Sequence, residues 1–266
     1  MKSIKEIYRI GTGPSSSHTM GPRKAAEIFL KKHRSASSYE VVLYGSLAAT
    51  GKGHMTDQAI IDVLSESGMP VKIVWKPDIF LPYHPNAMTF RSLNDAGLPS
   101  DEWTVYSVGG GAIEGEGLEN ETHAEIYNLN TFSEIMEYCD RSGRSYWEYV
   151  EQCEGKDIYP YLKEVWETMK AAVEAGLNTD GRLPGPLNLR RKAPAYYMRA
   201  EGYRDNLRSR GLVFAYALAV SEQNASGGKI VTAPTCGSSG VVPGVLYHLW
   251  KSRNFPEIHV LHALAT

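Results

Sequence analysis

Three stretches of this chain combine residue types that can do chemistry. The first, Gly11-Thr12-Gly13-Pro14-Ser15-Ser16-Ser17-His18-Thr19-Met20-Gly21-Pro22, runs into a helical pattern. Its glycines free the backbone, its serines and threonine supply hydroxyl donors, and a helix N-terminus adds free N–H groups and positive potential. That suits a small anion such as a carboxylate, with His18 inside the loop to move protons near neutral pH. The same residues equally suit an N-capping loop around a solvated histidine. As a dinucleotide fingerprint the stretch fails, because Ser16 stands where the third glycine belongs. The second stretch, Gly45 to Asp57, imitates a phosphate-binding loop. It fails because five residues separate Gly45 from Gly51 and Gly53 follows Lys52. What remains is Lys52, His54 and Asp57 on a turn, with an exposed turn capped by Asp57 as the plainer reading. The third, Gly227 to Gly244, delivers Cys236 to the start of a helix near Ser238–Trp250. A helix N-terminus favours the thiolate, the nucleophilic and metal-binding form. A buried structural cysteine fits equally. A smaller signal is Gly109-Gly110-Gly111 at the end of a strand, which permits close backbone approach to a ligand or a tight turn.

Composition removes several classes. With 28 basic and 30 acidic residues the formal charge is −2, so no basic footprint for nucleic acid is present. The longest apolar run, Leu212–Val220, is about half a membrane span. Met1–Glu6 has no apolar secretory core, and three cysteines make no disulfide framework. A cytoplasmic protein with neither nucleic-acid nor membrane partners is the expectation. His259 and His262 lack a third metal ligand nearby.

These residues need elements to hold them. A helix is expected over Arg23–His33, a strand over Val41–Tyr44, and a helix from an Asp57 cap to Glu66. Strands are expected at Val71–Trp75, Trp103–Val108 and Glu121–Leu129, with a proline-rich loop between the first two. Beyond about residue 130 helices dominate: Phe132–Asp140, Tyr146–Gln152, Tyr161–Ala175 and Gly202–Glu222, with a breaker-rich Asn178–Tyr196 between the last two. The fold class is therefore α+β: a mixed α/β domain, 1–150, followed by a helical portion, 151–266. His259–Thr266 reads as the opening of an apolar helix that is interrupted, or as a short docked one.

At this point the chain resembles the iron–sulfur L-serine dehydratases (L-serine ammonia-lyases) of the single-chain bacterial type. The resemblance rests on Gly13–Pro22, Tyr44–Leu47 through Asp57, Tyr106–Gly111, Asn178–Leu187 and Thr232-Ala233-Pro234-Thr235, and it covers essentially the whole chain. It implies a β-type N-terminal domain and an α-type helical domain. It implies loss of water from L-serine to aminoacrylate, which hydrolyses to pyruvate and ammonia, without pyridoxal phosphate. The hydroxyl would bind a [4Fe–4S] cluster acting as Lewis acid. The substrate would lie on Ser15, Ser16, Ser17 and Thr19, with Lys52 and Gly109, Gly110 and Gly111 as further contacts. His18 and His54 are the candidate bases, in no fixed order. A homodimer is implied.

Two departures from the family pattern stand out. The family reads T-A-P-T-x-G-x-C-G, whereas here the ligand position is Ser239 and the cysteine lies three earlier, at Cys236. Cys236 is therefore the one candidate metal ligand, and the other two family cysteines fall past Thr266. The expectation is an incomplete ligand set and an enzyme with little or no activity. The alternative is a non-catalytic serine- or anion-binding module, resembling the allosteric substrate-binding domain of some phosphoglycerate dehydrogenases.

Overall fold

A computed structural model describes residues 1–118 and 125–266. The chain forms two compact units, Thr12–Glu121 and Met1–Gly11 with Thr122–Thr266, rather than dividing at residue 150. The reason lies at the N-terminus. Strand β1 (Ile10–Thr12) pairs with β7 (Lys229–Val231) late in the chain. Thr232 reinforces the pairing: its N–H donates to the Arg9 carbonyl at 2.9 Å and its hydroxyl to that of Ile7 at 2.7 Å. The α-amino group of Met1 donates to the Tyr127 carbonyl at 3.0 Å.

The Thr12–Glu121 unit is a five-stranded sheet with helices against it. After α1 (Gly21–Lys32) come β2 (Ser38–Tyr44), α2 (Gly45–Thr50), α3 (Thr56–Leu64), β3 (Val71–Lys76), β4 (Ala87–Leu93), β5 (Pro99–Gly109) and β6 (Ala112–Gly115). The sheet order is β3-β2-β4-β5-β6, with β2 and β3 parallel and the other pairs antiparallel. Strand β2 shows the two-residue period of a pleated strand. Tyr39, Val41 and Leu43 face a core with Phe29 and Leu30 of α1, Ile60 and Leu64 of α3, and Phe90 of β4. Val42 and Tyr44 face the other way, with Ala87. Each such large side chain contributes about 1.5–3 kcal/mol by leaving water. The expected helix and strands in this region form. Strand β4 and helix α2 arise where loops are expected. The cap differs too: α3 starts at Thr56 after Met55, and Asp57 lies in its first turn, accepting from the Gln58 N–H at 3.0 Å.

The other unit is helical: α4 (Phe132–Ser142), α5 (Tyr146–Glu154), α6 (Ile158–Leu177), α7 (Ala193–Glu201), α8 (Asp205–Ala225), then β7, α9 (Val241–Arg253) and α10 (Glu257–Leu264). In α6 the expected stripe of Leu162, Val165, Trp166 and Met169 is buried. Helix α6 packs on α8, and α8 on α7 and α9. Helix α7 begins inside the breaker-rich segment, with Pro194 in its first turn where no N–H partner is needed. The strand expected over Glu121–Leu129 falls partly outside the described residues, and 125–129 are not strand. Among the described residues no helix is long and apolar enough to cross a membrane.

Candidate active site

The Thr12–Glu121 unit gathers the two candidate bases. Ser15 caps a single π turn, Ser16–Met20, by accepting the His18 N–H on its Oγ at 3.1 Å. Serine is a favoured cap because its short side chain reaches an orphan amide. The turn runs into α1, where Pro22 sits in the first turn. Two hydroxyls tie the turn down. Ser107 of β5 donates to the Ser17 carbonyl at 2.7 Å, and Thr56 of α3 to the His18 carbonyl at 2.5 Å. A Cβ on Gly21 would lie 2.2 Å from Ser107 Oγ, so a bare Cα lets turn and strand meet. The second histidine is fixed from the same turn: Thr19 donates its hydroxyl to the His54 carbonyl at 2.7 Å. Met55, next in the chain, takes a left-handed φ of 56°. Such a conformation is uncommon outside glycine and asparagine.

The result is an imidazole pair. The rings of His18 and His54 have centroids 4.8 Å apart. His18 lies between two hydroxyls, with Ser17 Oγ 2.8 Å from Nδ1 and Ser46 Oγ 3.0 Å from Nε2. Burial holds its pKa below the ordinary histidine value, the nearby His54 adds to this, and a hydrogen bond to the backbone of Ser46 opposes both. His18 is thus neutral near pH 7. His54 Nδ1 lies 3.0 Å from the Thr50 carbonyl. A carbonyl only accepts, so Nδ1 carries the proton and Nε2 keeps its lone pair in the neutral ring. The arrangement can therefore accept a proton at one ring while hydroxyls meet an anion at the other.

The anticipated binding residues separate on this geometry. Ser15 and Ser17 are half-buried in the cluster. Ser16 and Thr19 are buried, and Thr19 spends its hydroxyl on the His54 carbonyl. Lys52 is exposed, with Nζ 5.7 Å from the Trp75 ring centroid rather than against the histidines. Gly109, Gly110 and Gly111 make the left-handed turn between β5 and β6, two residues beyond Ser107. Ser46, Thr56 and Ser107 also belong to the cluster; their residue types alone do not mark them, since what brings them in is a hydroxyl placed at His18 or at the turn that carries it.

Cys236 corrects the thiolate expectation. It lies in the loop ahead of α9, 1% exposed, and burial pushes its thiol up to about 12. Desolvation outweighs the favourable helix end here. Ser239, three residues further on, is equally buried. Cys139 is buried and Cys153 half-buried, and no disulfide forms. Among the described residues no three His, Cys, Asp or Glu come together to hold a metal. A [4Fe–4S] cluster does not fit this residue set.

The sequence matches a family model, the serine dehydratase beta chain, over residues 3–71 and 65–117. The whole chain is 34% identical to an L-serine dehydratase of Haemophilus influenzae, covering 70% of that protein. The chain belongs to the L-serine dehydratase family. Two Escherichia coli members agree: L-serine dehydratase TdcG, 35% identical over 95% of this chain and 67% of the relative, and L-serine dehydratase 1, 33% identical over 100% and 70%. The stretches Gly13–Pro22 and Tyr44–Asp57, which carry the imidazole pair, lie within the residues matched by the family model.

Proposed function

We propose that this member of the family acts on L-serine, with the His18–His54 cluster as its substrate site and dehydration as its reaction. The single observation that carries the reading is the pair of imidazoles 4.8 Å apart, with His18 between the hydroxyls of Ser17 and Ser46 and His54 on the Thr50 carbonyl. L-serine offers a carboxylate for the hydroxyls of Ser15 and Ser17 and an α-proton for a base. His54 Nε2 is the base: its ring is oriented by the Thr50 carbonyl and its lone pair is uncommitted. His18, neutral and bracketed by Ser17 and Ser46, orients the hydroxyls. Elimination of water then gives aminoacrylate, which hydrolyses to pyruvate and ammonia. No step is routed through a [4Fe–4S] group, because the described residues do not fit one.

A second reading, serine binding without turnover, draws on a different observation. Every group of the cluster belongs to one compact unit, Thr12–Glu121, so that unit supplies the anion site by itself. Calorimetric titration with L-serine and D-serine, followed by assay of released pyruvate, tests both. Saturable binding selective for L-serine is expected. Pyruvate release then selects dehydration, and binding without pyruvate selects the binding module. Absence of L-serine binding at millimolar concentration contradicts the site itself.

A further inference from the structure

The loop between β3 and β4 holds the backbones behind two hydroxyls of the cluster. Gly45 donates its N–H to the Ile79 carbonyl at 2.9 Å, and Ser46 donates its own to that of Pro85 at 3.1 Å. A Cβ on Gly45 would lie 2.7 Å from the Pro85 carbonyl oxygen, so the two segments cross closely. Asn86, next in the chain, stands opposite Ser107, one step before the Ala87–Tyr106 pair that opens the β4–β5 ladder. His84-Pro85-Asn86 therefore reaches Ser46, whose Oγ lies 3.0 Å from His18 Nε2, and Ser107, whose hydroxyl holds the Ser17 carbonyl.

At Ser107 a side chain completes the ladder. Ser107 donates its N–H to the Asn86 carbonyl at 2.9 Å. In a hydrogen-bonded antiparallel pair the return bond runs from the N–H of the opposite residue. Here the Asn86 N–H is turned away and donates to His84 Nδ1 at 3.1 Å. The Ser107 carbonyl takes its bond from Asn86 Nδ2 instead, at 3.3 Å. A carbonyl only accepts, so the amide presents its nitrogen there. Ser107 is fully buried, and each of its polar groups needs a partner. Asn86 meets both backbone groups, and Oγ donates to the Ser17 carbonyl at 2.7 Å. Every one of these bonds has a fixed direction, because an N–H or O–H faces a carbonyl or, in one case, a ring nitrogen.

We propose that Asn86 is a positioning residue for the L-serine site: its side-chain amide replaces a missing ladder bond, fixes Ser107, and through the Ser107 hydroxyl sets the turn that carries Ser17 and His18. This rests on the reading of the cluster as a serine site. It draws on the Ser17 carbonyl and leaves the hydroxyls of Ser15 and Ser17 for the carboxylate.

The test uses the intact chain. Loss of a hydrogen bond to a buried carbonyl lowers the urea midpoint whatever the bond is for. The deciding readouts are therefore L-serine affinity and the His18 ring resonances, both measured on folded protein. Asn86→Ala is expected to weaken L-serine binding about two- to tenfold, as for loss of one neutral hydrogen bond. It is also expected to shift the His18 ring resonances while those of His33 and His248 stay in place. Asn86→Leu, which keeps the size and lacks the donor, is expected to do the same, and takes its place should Asn86→Ala not fold. Ser107→Ala cuts the next bond of the chain, so the loss in Asn86→Ala/Ser107→Ala is expected to match that in Ser107→Ala alone. Wild-type affinity in a folded Asn86 variant overturns the proposal, as do losses that multiply in the double variant. His18 resonances unmoved by loss of the Asn86 amide also overturn it. If the wild-type chain fails to bind L-serine, the serine reading falls by itself, and the His18 resonances still decide whether Asn86 positions the turn.

Discussion

The loop that carries His18 and the loop that carries Cys236 look alike in sequence. Each is short, rich in glycine and hydroxyl residues, and runs into a helix. In the first, Ser15, Ser17, His18, Ser46 and His54 stay half-buried; the three serines hydrogen-bond to His18, and the His54 ring lies beside it. In the second, Cys236 and Ser239 are each 1% exposed, and the thiol is pushed up to about 12. The difference teaches that a helix start does not by itself make a reactive site. A helix end is worth about 0.3–1 kcal/mol to a charge. Burial of the thiol costs its charged form more than that, so burial decides the protonation state.

The largest effect that would break this contrast is chemical. At pH 8 a thiol of pKa near 12 holds roughly a thousandfold less thiolate than an ordinary one near 8.5. Iodoacetamide followed by peptide mass spectrometry is expected to modify half-buried Cys153 well before Cys236, with Cys236 reacting only after denaturant. Fast modification of Cys236 in the folded chain would erase the distinction. Next come the side chains themselves. His18→Ala and His54→Ala are each expected to weaken L-serine binding by about ten- to a hundredfold, while Cys236→Ala leaves it within about twofold. Equal losses in all three would contradict the assignment.

A smaller effect tests how the turn is held. Gly21→Ala places a Cβ against Ser107 Oγ and is expected to destabilise the chain by about 1–3 kcal/mol. Urea midpoints would show it, and Ser107→Ala on the same background should recover part of the loss. An unchanged midpoint in Gly21→Ala would mean that the contact is loose. The smallest effect is a slope. Burial, reinforced by His54, lowers the His18 pKa, so as pH falls below about 6.5 the unfolded chain takes up a proton before the folded one. Stability is flat above that pH and declines below it towards the depressed native value. His248 of α9, lowered by burial and by Arg253, adds to the same slope. His18→Gln should flatten it in part, and an identical slope in that variant would contradict the shift.

Much of the fold was legible where periodicity was strong. The α6 stripe, the β2 run and helix α1 follow from apolar spacing alone. Strand β4 went unread because prolines at 77, 82 and 85 drew attention to loop, although Met88 and Phe90 alternate with Thr89 and Arg91 in the strand. The cap of α3 was misplaced because Asp57 has the usual capping chemistry, whereas the chain turns one residue earlier at left-handed Met55. In the site, His18 and His54 were readable from residue type. Their meeting was not, because it depends on Thr19 and Thr56 reaching across 35 and 38 residues to backbone carbonyls. The unit boundary escaped for a similar reason: β1 pairs with β7, more than 200 residues away.

The central claim is that two imidazoles in different hydrogen-bond states form one L-serine site. Histidine ring NMR during titration with L-serine tests it most directly. The account predicts that the His18 and His54 resonances move together, saturably, with a single dissociation constant, while those of His33 and His248 stay in place. Serine binding that leaves both rings unmoved would contradict it.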